Sequence, residues 1–376
     1  MGPKAAALTA TRGDVGDLAA GRRGSITAPD YKRRRRPVRY KANISRMKRQ
    51  RPFIYTTLAL TACLSLGDIP TSSSATRGCA AAPTSSLVVN VKDKGARGNA
   101  QTDDTAAIQG AIDQAAGKRG TVLVPAGTYM VSAVGENRLA LKSNVVLKLS
   151  QDAVLRAIPN SSGKYAVLHI SGVSNVTVVG GMLEGERAEH MGKTGEWGMG
   201  IRIDNASEHI TISGVVVKEM WGDGFYVEGA NDVRFCSVTA DNNRRQGLSI
   251  IETDGLIVKN SIFKNTRGTR PSAGIDIEPD TDEQHVTNVR IQDSQFTDNA
   301  GPGIAIVAKK ALVSEIKITR NVFGGNRYPV LIKGVCGRQN AAYETEPSGG
   351  AFAYADPTEL VITKNDCQPK AQGKKR

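Results

Sequence analysis

The sequence predicts an all-β fold: a right-handed, single-stranded parallel β-helix (a solenoid) with an N-terminal capping α-helix. Two observations carry that expectation. First, a five-residue phrase returns six times between Trp197 and Lys333: Gly200–Asp204, Gly224–Glu228, Gly247–Ile251, Gly274–Glu278, Gly303–Val307 and, less cleanly, Pro329–Lys333. Successive phrases start 24, 23, 27, 29 and 26 residues apart. Each alternates apolar with other residues, the period-2 mark of a strand with one buried face. Second, another alternating run stands behind the phrases, at 209–213, 232–235, 255–258, 288–291 and 315–318, with Asn243, Asn299 and Asn326 at the return turns. Short strands repeating at this period, with no helical pattern between them, stack into coils, and strands that recur once per coil lie parallel.

Taken in order, the chain does not begin with that fold. Residues 1–46 are rich in Gly, Ala and Arg, carry the run Lys32–Arg36 and lack an apolar period. They read as a disordered basic extension or a mis-assigned start, with a nucleic-acid-binding arm as the alternative. Residues 47–86 read as a signal peptide or lipobox followed by a Ser/Thr/Ala linker. Met47-Lys-Arg-Gln-Arg51 is a basic stretch ahead of the apolar run Phe53–Leu66, which is too short to span a bilayer. Leu60-Thr-Ala-Cys63 is similar to a bacterial lipobox, which would make a lipid on Cys63 the tie to a membrane; otherwise cleavage falls near Ala75 or Ala80–Ala82. Both routes lead to export, whether periplasmic, on the outer surface or secreted.

Charge follows the same division. Residues 1–86 hold 16 Lys/Arg against 4 Asp/Glu, whereas the remaining 290 hold 34 against 32. The formal charge of +14 therefore belongs to the N-terminal stretch, and the near-neutral remainder gives no reason to expect a nucleic-acid partner. Cysteines are few. Cys63 and Cys79 precede the fold, Cys236 reads as a buried small residue on a strand, and Cys336 and Cys367 flank a loop-rich segment, 336–376, where they could form a bridge. No Cys/His cluster suggests zinc, and His169, His190, His209 and His285 are scattered, so no metal ligand is assigned.

The β-helix is expected over 87–335. Thr102 or Asp103 can cap a helix that places Ile108, Ala111, Ile112 and Ala115 on one face, as a plug for the open first coil. Gly120–Val131 then reads as two short strands around a Pro-Ala-Gly turn, followed by strands within 139–149 and 153–155.

Here the chain resembles a known family. Lys-Asp-Lys-Gly-Ala (92–96), Thr-Asp-Asp-Thr-Ala-Ala-Ile-Gln (102–109) and Val-Pro-Ala-Gly-Thr-Tyr (124–129) look like the opening motifs of the pectate lyase superfamily. That group includes rhamnogalacturonases, polygalacturonases, uronan epimerases and phage tailspikes. The resemblance covers roughly residues 88 to 335, and its motifs build the cap and first coils, so it implies the fold and a polysaccharide partner rather than one reaction. Of the polygalacturonase set Asn-Thr-Asp, Asp-Asp, Gly-His-Gly and Arg-Ile-Lys, only Gly222-Asp223-Gly224 offers a loose match at the coils concerned, and Gln246-Gly247 stands where a histidine would be expected. The Asp-Pro-His of the secreted alginate epimerases does not occur.

Stacked coils put equivalent residues in ladders about 4.8 Å apart. Counting from the phrase glycine, the second position gives Arg202, Tyr226, Ser249, Asp276 and Ala305, and the fourth gives Asp204, Glu228, Ile251, Glu278 and Val307. Three residues before the glycine stand Trp197, Trp221 and Arg244. Flat aromatic faces beside carboxylates and arginines suit a sugar chain lying along the solenoid, with Trp197, Trp221, Arg202, Arg244, Ser249 and Arg270 as binding candidates. The plainer reading is that both tryptophans pack at loop roots and the charges pair on a solvated face.

For chemistry, Asp223, Glu228, Asp276 and Glu278 could supply an acid and a base. Glu228 and Glu278, two coils apart, are expected about 9–10 Å from each other at the backbone, near the roughly 6.5–9.5 Å carboxyl separation of inverting hydrolases. Asp204 and Glu228, closer, could share a proton or hold a cation; calcium is the one cofactor left open. A lyase or epimerase acting on a uronate would instead need a base at C5 and positive charge for the developing anion, roles open to Tyr226 with Arg202 and Arg245. The expectation is an exported enzyme that cleaves or modifies a uronate-containing glycan, lyase-like, with a glycoside hydrolase or a non-catalytic glycan-binding surface protein as alternatives.

Overall fold

The computed structural model describes residues 82–135, 138–308, 311–333, 341–343 and 360–362. All lie in the compact unit Pro70–Arg376. The expectations for residues 1–46, the signal-like stretch with Cys63, the linker up to residue 81, and Cys79, Cys336 and Cys367 fall outside the described residues. Among those described, no helix is long and apolar enough to cross a membrane.

The solenoid is present. Equivalent strands pair in parallel, coil on coil, in a 16-stranded and a nine-stranded sheet. The phrase and the run behind it are often one bent strand rather than two, as in Trp197–Ser213, Phe225–Cys236 and Leu248–Lys259. In the first of these the bend falls where Asn205 and Ala206 adopt left-handed φ angles of 54° and 58°. The nine-stranded sheet supplies a third row that alternation could not reveal, with three-residue strands such as Val216–Lys218, Thr239–Asp241, Ile262–Lys264 and Gln295–Thr297.

Single residues turn the corners. Glu219, Asn242, Asn265, Asp298 and Gly325 each follow a third-row strand with positive φ, a conformation Asn, Asp and Gly tolerate best. The next position forms a buried polar ladder: Asn299 accepts from Thr266 N, and donates through its amide to Phe263 O and to Asn326 Oδ1. Buried backbone groups at the turns are thereby satisfied, which is why Asn243, Asn299 and Asn326 mark them. The phrase glycine has a separate cause. A Cβ on Gly200, Gly224, Gly247 or Gly274 would lie 2.4–2.7 Å from the carbonyl oxygen of the next phrase's glycine, so a side chain there would push adjacent coils apart.

Inside, Ile201, Phe225, Leu248, Ile275 and Ile304 are fully buried. Phe263, Phe296 and Phe323, the centres of three third-row strands, stack with ring centroids 5.3 and 5.1 Å apart. The capping helix runs Thr105–Ala116 and buries Ile108, Ala111, Ile112 and Ala115. Its cap position is Asp104 rather than Thr102 or Asp103, which end the strand Asn99–Asp103. Asp104 makes no side-chain cap bond; its carboxylate accepts instead from the backbone N–H groups of Arg97 and Gly98, tying the helix to the first coil. At the other end, Ala341–Tyr343 and Leu360–Ile362 add antiparallel strands within the segment expected to be loop-rich. Cys236 is buried on its strand, as expected, and is disulfide-bonded.

Phe296 sits between two rings at full burial, so Phe296→Ala is expected to lose about 3–5 kcal/mol, read as a lowered midpoint in denaturant unfolding; an unchanged midpoint would contradict the stack's contribution.

Candidate functional site

The outward ladder has the register that the phrases imply. Arg202, Tyr226, Ser249, Asp276 and Ala305 are successive cross-strand partners, extended by His169 before and Leu331 after. At the fourth position Asp204 faces Glu228, but Glu228 then faces Glu252, not Ile251. The extra residue lets Ile251 step off the ladder and pack against Tyr226 and Met199.

Asp223, Arg245, Ser249, Asp276 and Glu278 come together around one guanidinium. Asp223 is fully buried, and its Oδ2 accepts from Arg245 Nη1 at 3.0 Å and Ser249 Oγ at 2.9 Å. Burial pushes its carboxyl up to about 6, with Arg245 and Ser249 pulling the other way. Asp276 is also buried. Its Oδ2 accepts from Gln246 Nε2 at 2.8 Å, while Gln246 Oε1 accepts from Ala273 N, so the amide is held at both ends. Burial, then the adjacent Glu278 carboxylate that hydrogen-bonds to it, raises Asp276 well above the ordinary carboxyl range, and Arg245 only partly opposes this. Glu196 adds a further acid, 3.8 Å from Arg245 Nε. Burial beside other carboxyls therefore favours the protonated form of Asp276. Asp223 Oδ1 and Asp276 Oδ1 are buried with no hydrogen-bond donor among the described residues.

Glu228, Arg202 and Tyr226 belong to a second network on the preceding coils. Arg202 bridges Asp204 and Glu228, and His169 Nε2 donates to Asp204 while its Nδ1 accepts from Arg138. Burial would raise Asp204, but hydrogen bonds from His169, Ser171 and Arg202 outweigh it and hold the carboxyl below its usual range. Tyr226 donates to Glu228 at 3.2 Å; burial and then the Glu228 charge push its phenol far above 10, the direction opposite to an activated base. With Arg202 between them, Asp204 and Glu228 form an ion-paired chain rather than an open cation site. Among the described residues no group of three or more His, Cys, Asp and Glu is placed to hold a metal ion.

The tryptophans part company. Trp197 is 45% exposed. Trp221 has His190 stacked at 3.9 Å and the Arg244 guanidinium at 3.8 Å from its ring; two such groups must take opposite faces, leaving no platform for a sugar. Arg244 also donates to the carbonyls of Gly195 and Trp221, and His190 pairs with buried Glu186, so this cluster anchors the 185–196 loop. Ser249 serves Asp223. Arg270 is exposed and lines a cleft of about 990 Å³ with Arg245, Asp276, Glu278, Arg327 and Lys333.

Sequence reasoning missed Gln246 and His169 as members of these sites. Gln246 was visible only as the residue replacing an expected histidine. His169 lies on a strand without the phrase glycine, Lys164–Ser171, and so outside the repeat count.

Comparison with known proteins agrees with this architecture. Residues 88–148 match the family described as rhamnogalacturonase A/epimerase, pectate lyase-like, and residues 194–365 match the right-handed β-helix region. The uncharacterised protein YclG of Bacillus subtilis is 28% identical over 315 residues, covering 74% of this chain and 48% of that one. The mannuronan C5-epimerase AlgE4 of Azotobacter vinelandii is 38% identical over 190 residues, 47% of this chain and 33% of the relative. The chain thus spans less than half the length of either. PfbA, a surface adhesin of Streptococcus pneumoniae, shares the fold with a TM-score of 0.54 at 18% identity, covering 68% of each chain.

Asp223 sets a pH dependence with a definite sign. Its folded value, about 6, lies above the ordinary 3.8, so the native state keeps the proton longer than the unfolded chain. Stability from this group is full below 3.8 and is lost as pH rises through about 6. Relative to Asp223→Asn, the native protein should therefore lose about 3 kcal/mol across that window, measured by denaturant unfolding at a series of pH values; a gap that stays constant or changes the other way would refute the buried, raised carboxyl.

Proposed function

We propose, from the premise that this chain belongs to the pectate lyase superfamily of right-handed parallel β-helix proteins, that it cleaves an anionic polysaccharide by carboxyl acid–base chemistry. The observation that carries this reading is the buried Asp276 carboxyl beside Glu278, one rung from Asp223 on the far side of Ser249 and raised well above the ordinary carboxyl range. Burial raises both carboxyls; Glu278 adds to this at Asp276 while Arg245 and Ser249 oppose it at Asp223, which fits Asp276 as the acid and Asp223 as the base. Asp276, neutral, gives its proton to the glycosidic oxygen as the bond to the anomeric carbon breaks. Asp223, ionised above about 6, takes a proton from the water that attacks that carbon. Arg245 keeps Asp223 in place and offsets its charge; Gln246 fixes Asp276 through its Oδ2. Arg270, Arg327 and Lys333, which make no ion pair among the described residues, support an anionic glycan as the ligand of the cleft. The signal-like stretch 47–66 favours action outside the cytoplasm.

A second reading, proton exchange or elimination at C5 of a uronate, has one specific observation behind it, the likeness to AlgE4 over 190 residues. The environment of Tyr226 weakens it, because a phenol that donates to Glu228 and resists ionisation is a poor base. A purely adhesive role, as PfbA's description has it, gives no reason for a buried carboxyl raised well above the ordinary range.

Asp276→Asn and Asp223→Asn are each expected to cut turnover about 10²–10⁴-fold, with the native protein's kcat/KM rising through the Asp223 value of about 6. Reducing ends, ultraviolet absorbance of unsaturated products and exchange of C5 hydrogen for deuterium should be followed together on polygalacturonate, polymannuronate and polyguluronate. Reducing ends alone support hydrolysis; absorbance rising together with reducing ends, or C5 exchange without cleavage, would shift the assignment to C5 chemistry.

A further inference from the structure

The cleft beside the carboxyls is blind at one end, and we propose that the enzyme attacks its glycan from a chain terminus rather than in mid-chain. This rests on the acid–base reading above. The cleft's lining starts at Arg245 and Asp276, runs through Ala305 and Leu331 to Lys333, and includes no residue N-terminal to Arg245. Asp276, Ala305 and Leu331 are successive register partners, so the cleft reaches about 10 Å along the axis from the acids, two spacings of about 4.8 Å.

On the other side of the acids the outer face is built over. Met199, Tyr226 and Ile251 project outward from the three preceding coils, yet they form an apolar cluster separate from the solenoid core, with exposures of 0%, 7% and 3%. Outward apolar groups are buried to that extent only where protein lies on top of them. The Arg202 guanidinium stands 4.9 Å from the Tyr226 ring, and Asp280, in the loop after Glu278, comes close enough for its charge to act on the phenol. Glu196 reaches across two coils to within 3.8 Å of Arg245. Charge is distributed the same way. Arg202 is committed to Asp204 and Glu228, whereas Arg270, Arg327 and Lys333, which form no ion pair among the described residues, line the cleft. An anionic glycan filling the cleft therefore extends toward the C-terminal coils, and only its terminal unit lies past the carboxyls. Each hydrolysis adds one water across the bond and frees a short sugar, leaving the rest of the chain in the cleft.

The test is the size of the first products. The full chain would be incubated with polygalacturonate, polymannuronate and polyguluronate, and products at early conversion separated by size while polymer length is followed by viscosity. Short sugars from the outset, with viscosity falling slowly relative to reducing ends, are expected. A ladder of long oligomers with an early collapse in viscosity would overturn terminal attack while leaving the acid–base reading intact. If none of the polymers is cut, the acid–base reading fails and this inference with it.

Discussion

Everything in this molecule depends on coils stacking in register at the spacing of a parallel sheet. The phrase glycines hold that spacing, because a side chain at Gly224 or Gly247 would press on the carbonyl of the coil above. The polar ladder at Asn299 and Asn326 satisfies the turn backbone at the same spacing. Inside, the spacing stacks Phe263, Phe296 and Phe323. Outside, it sets Tyr226, Ser249 and Asp276 in one column and brings Asp223 beneath Ser249. Structure and candidate chemistry thus follow from one translation repeated along the axis.

The same repetition creates an electrostatic problem. Acids at related positions on neighbouring coils are forced close together, and burial removes the water that would screen them. The two acid groups resolve this differently. Asp204 and Glu228 share Arg202 as a common partner and gain His169, so Asp204 remains firmly ionised. Asp223 and Asp276 are buried near Arg245, and burial outweighs that charge, raising both carboxyls above their ordinary range. The first column holds its carboxylate ionised; the second holds its buried carboxyls above the ordinary range.

Much of this was legible in the sequence because it is periodic. The spacing of the phrases gave the fold, and counting from each glycine placed Arg202, Tyr226, Ser249 and Asp276 on one ladder, as the register has them. What was hidden lies where periodicity breaks or runs too short. Three-residue third-row strands contain no visible alternation. The extra residue at Ile251 shifts the fourth column by one, and no pattern announces a bulge. Trp197 and Trp221 hold equivalent positions, yet one is exposed and the other is sandwiched, because the partners His190 and Arg244 come from a long loop and a neighbouring coil. Contacts of that kind depend on loop path, which has no repeat to read.

The central claim is that Asp276, buried beside Glu278, keeps a proton at neutral pH. Infrared spectroscopy of the full chain at pH 7, comparing the native protein with Asp276→Asn, tests it most directly. The account predicts a protonated-carboxyl stretch that persists at neutral pH and disappears in the variant. A spectrum with every carboxyl ionised, identical in the two proteins, would contradict it.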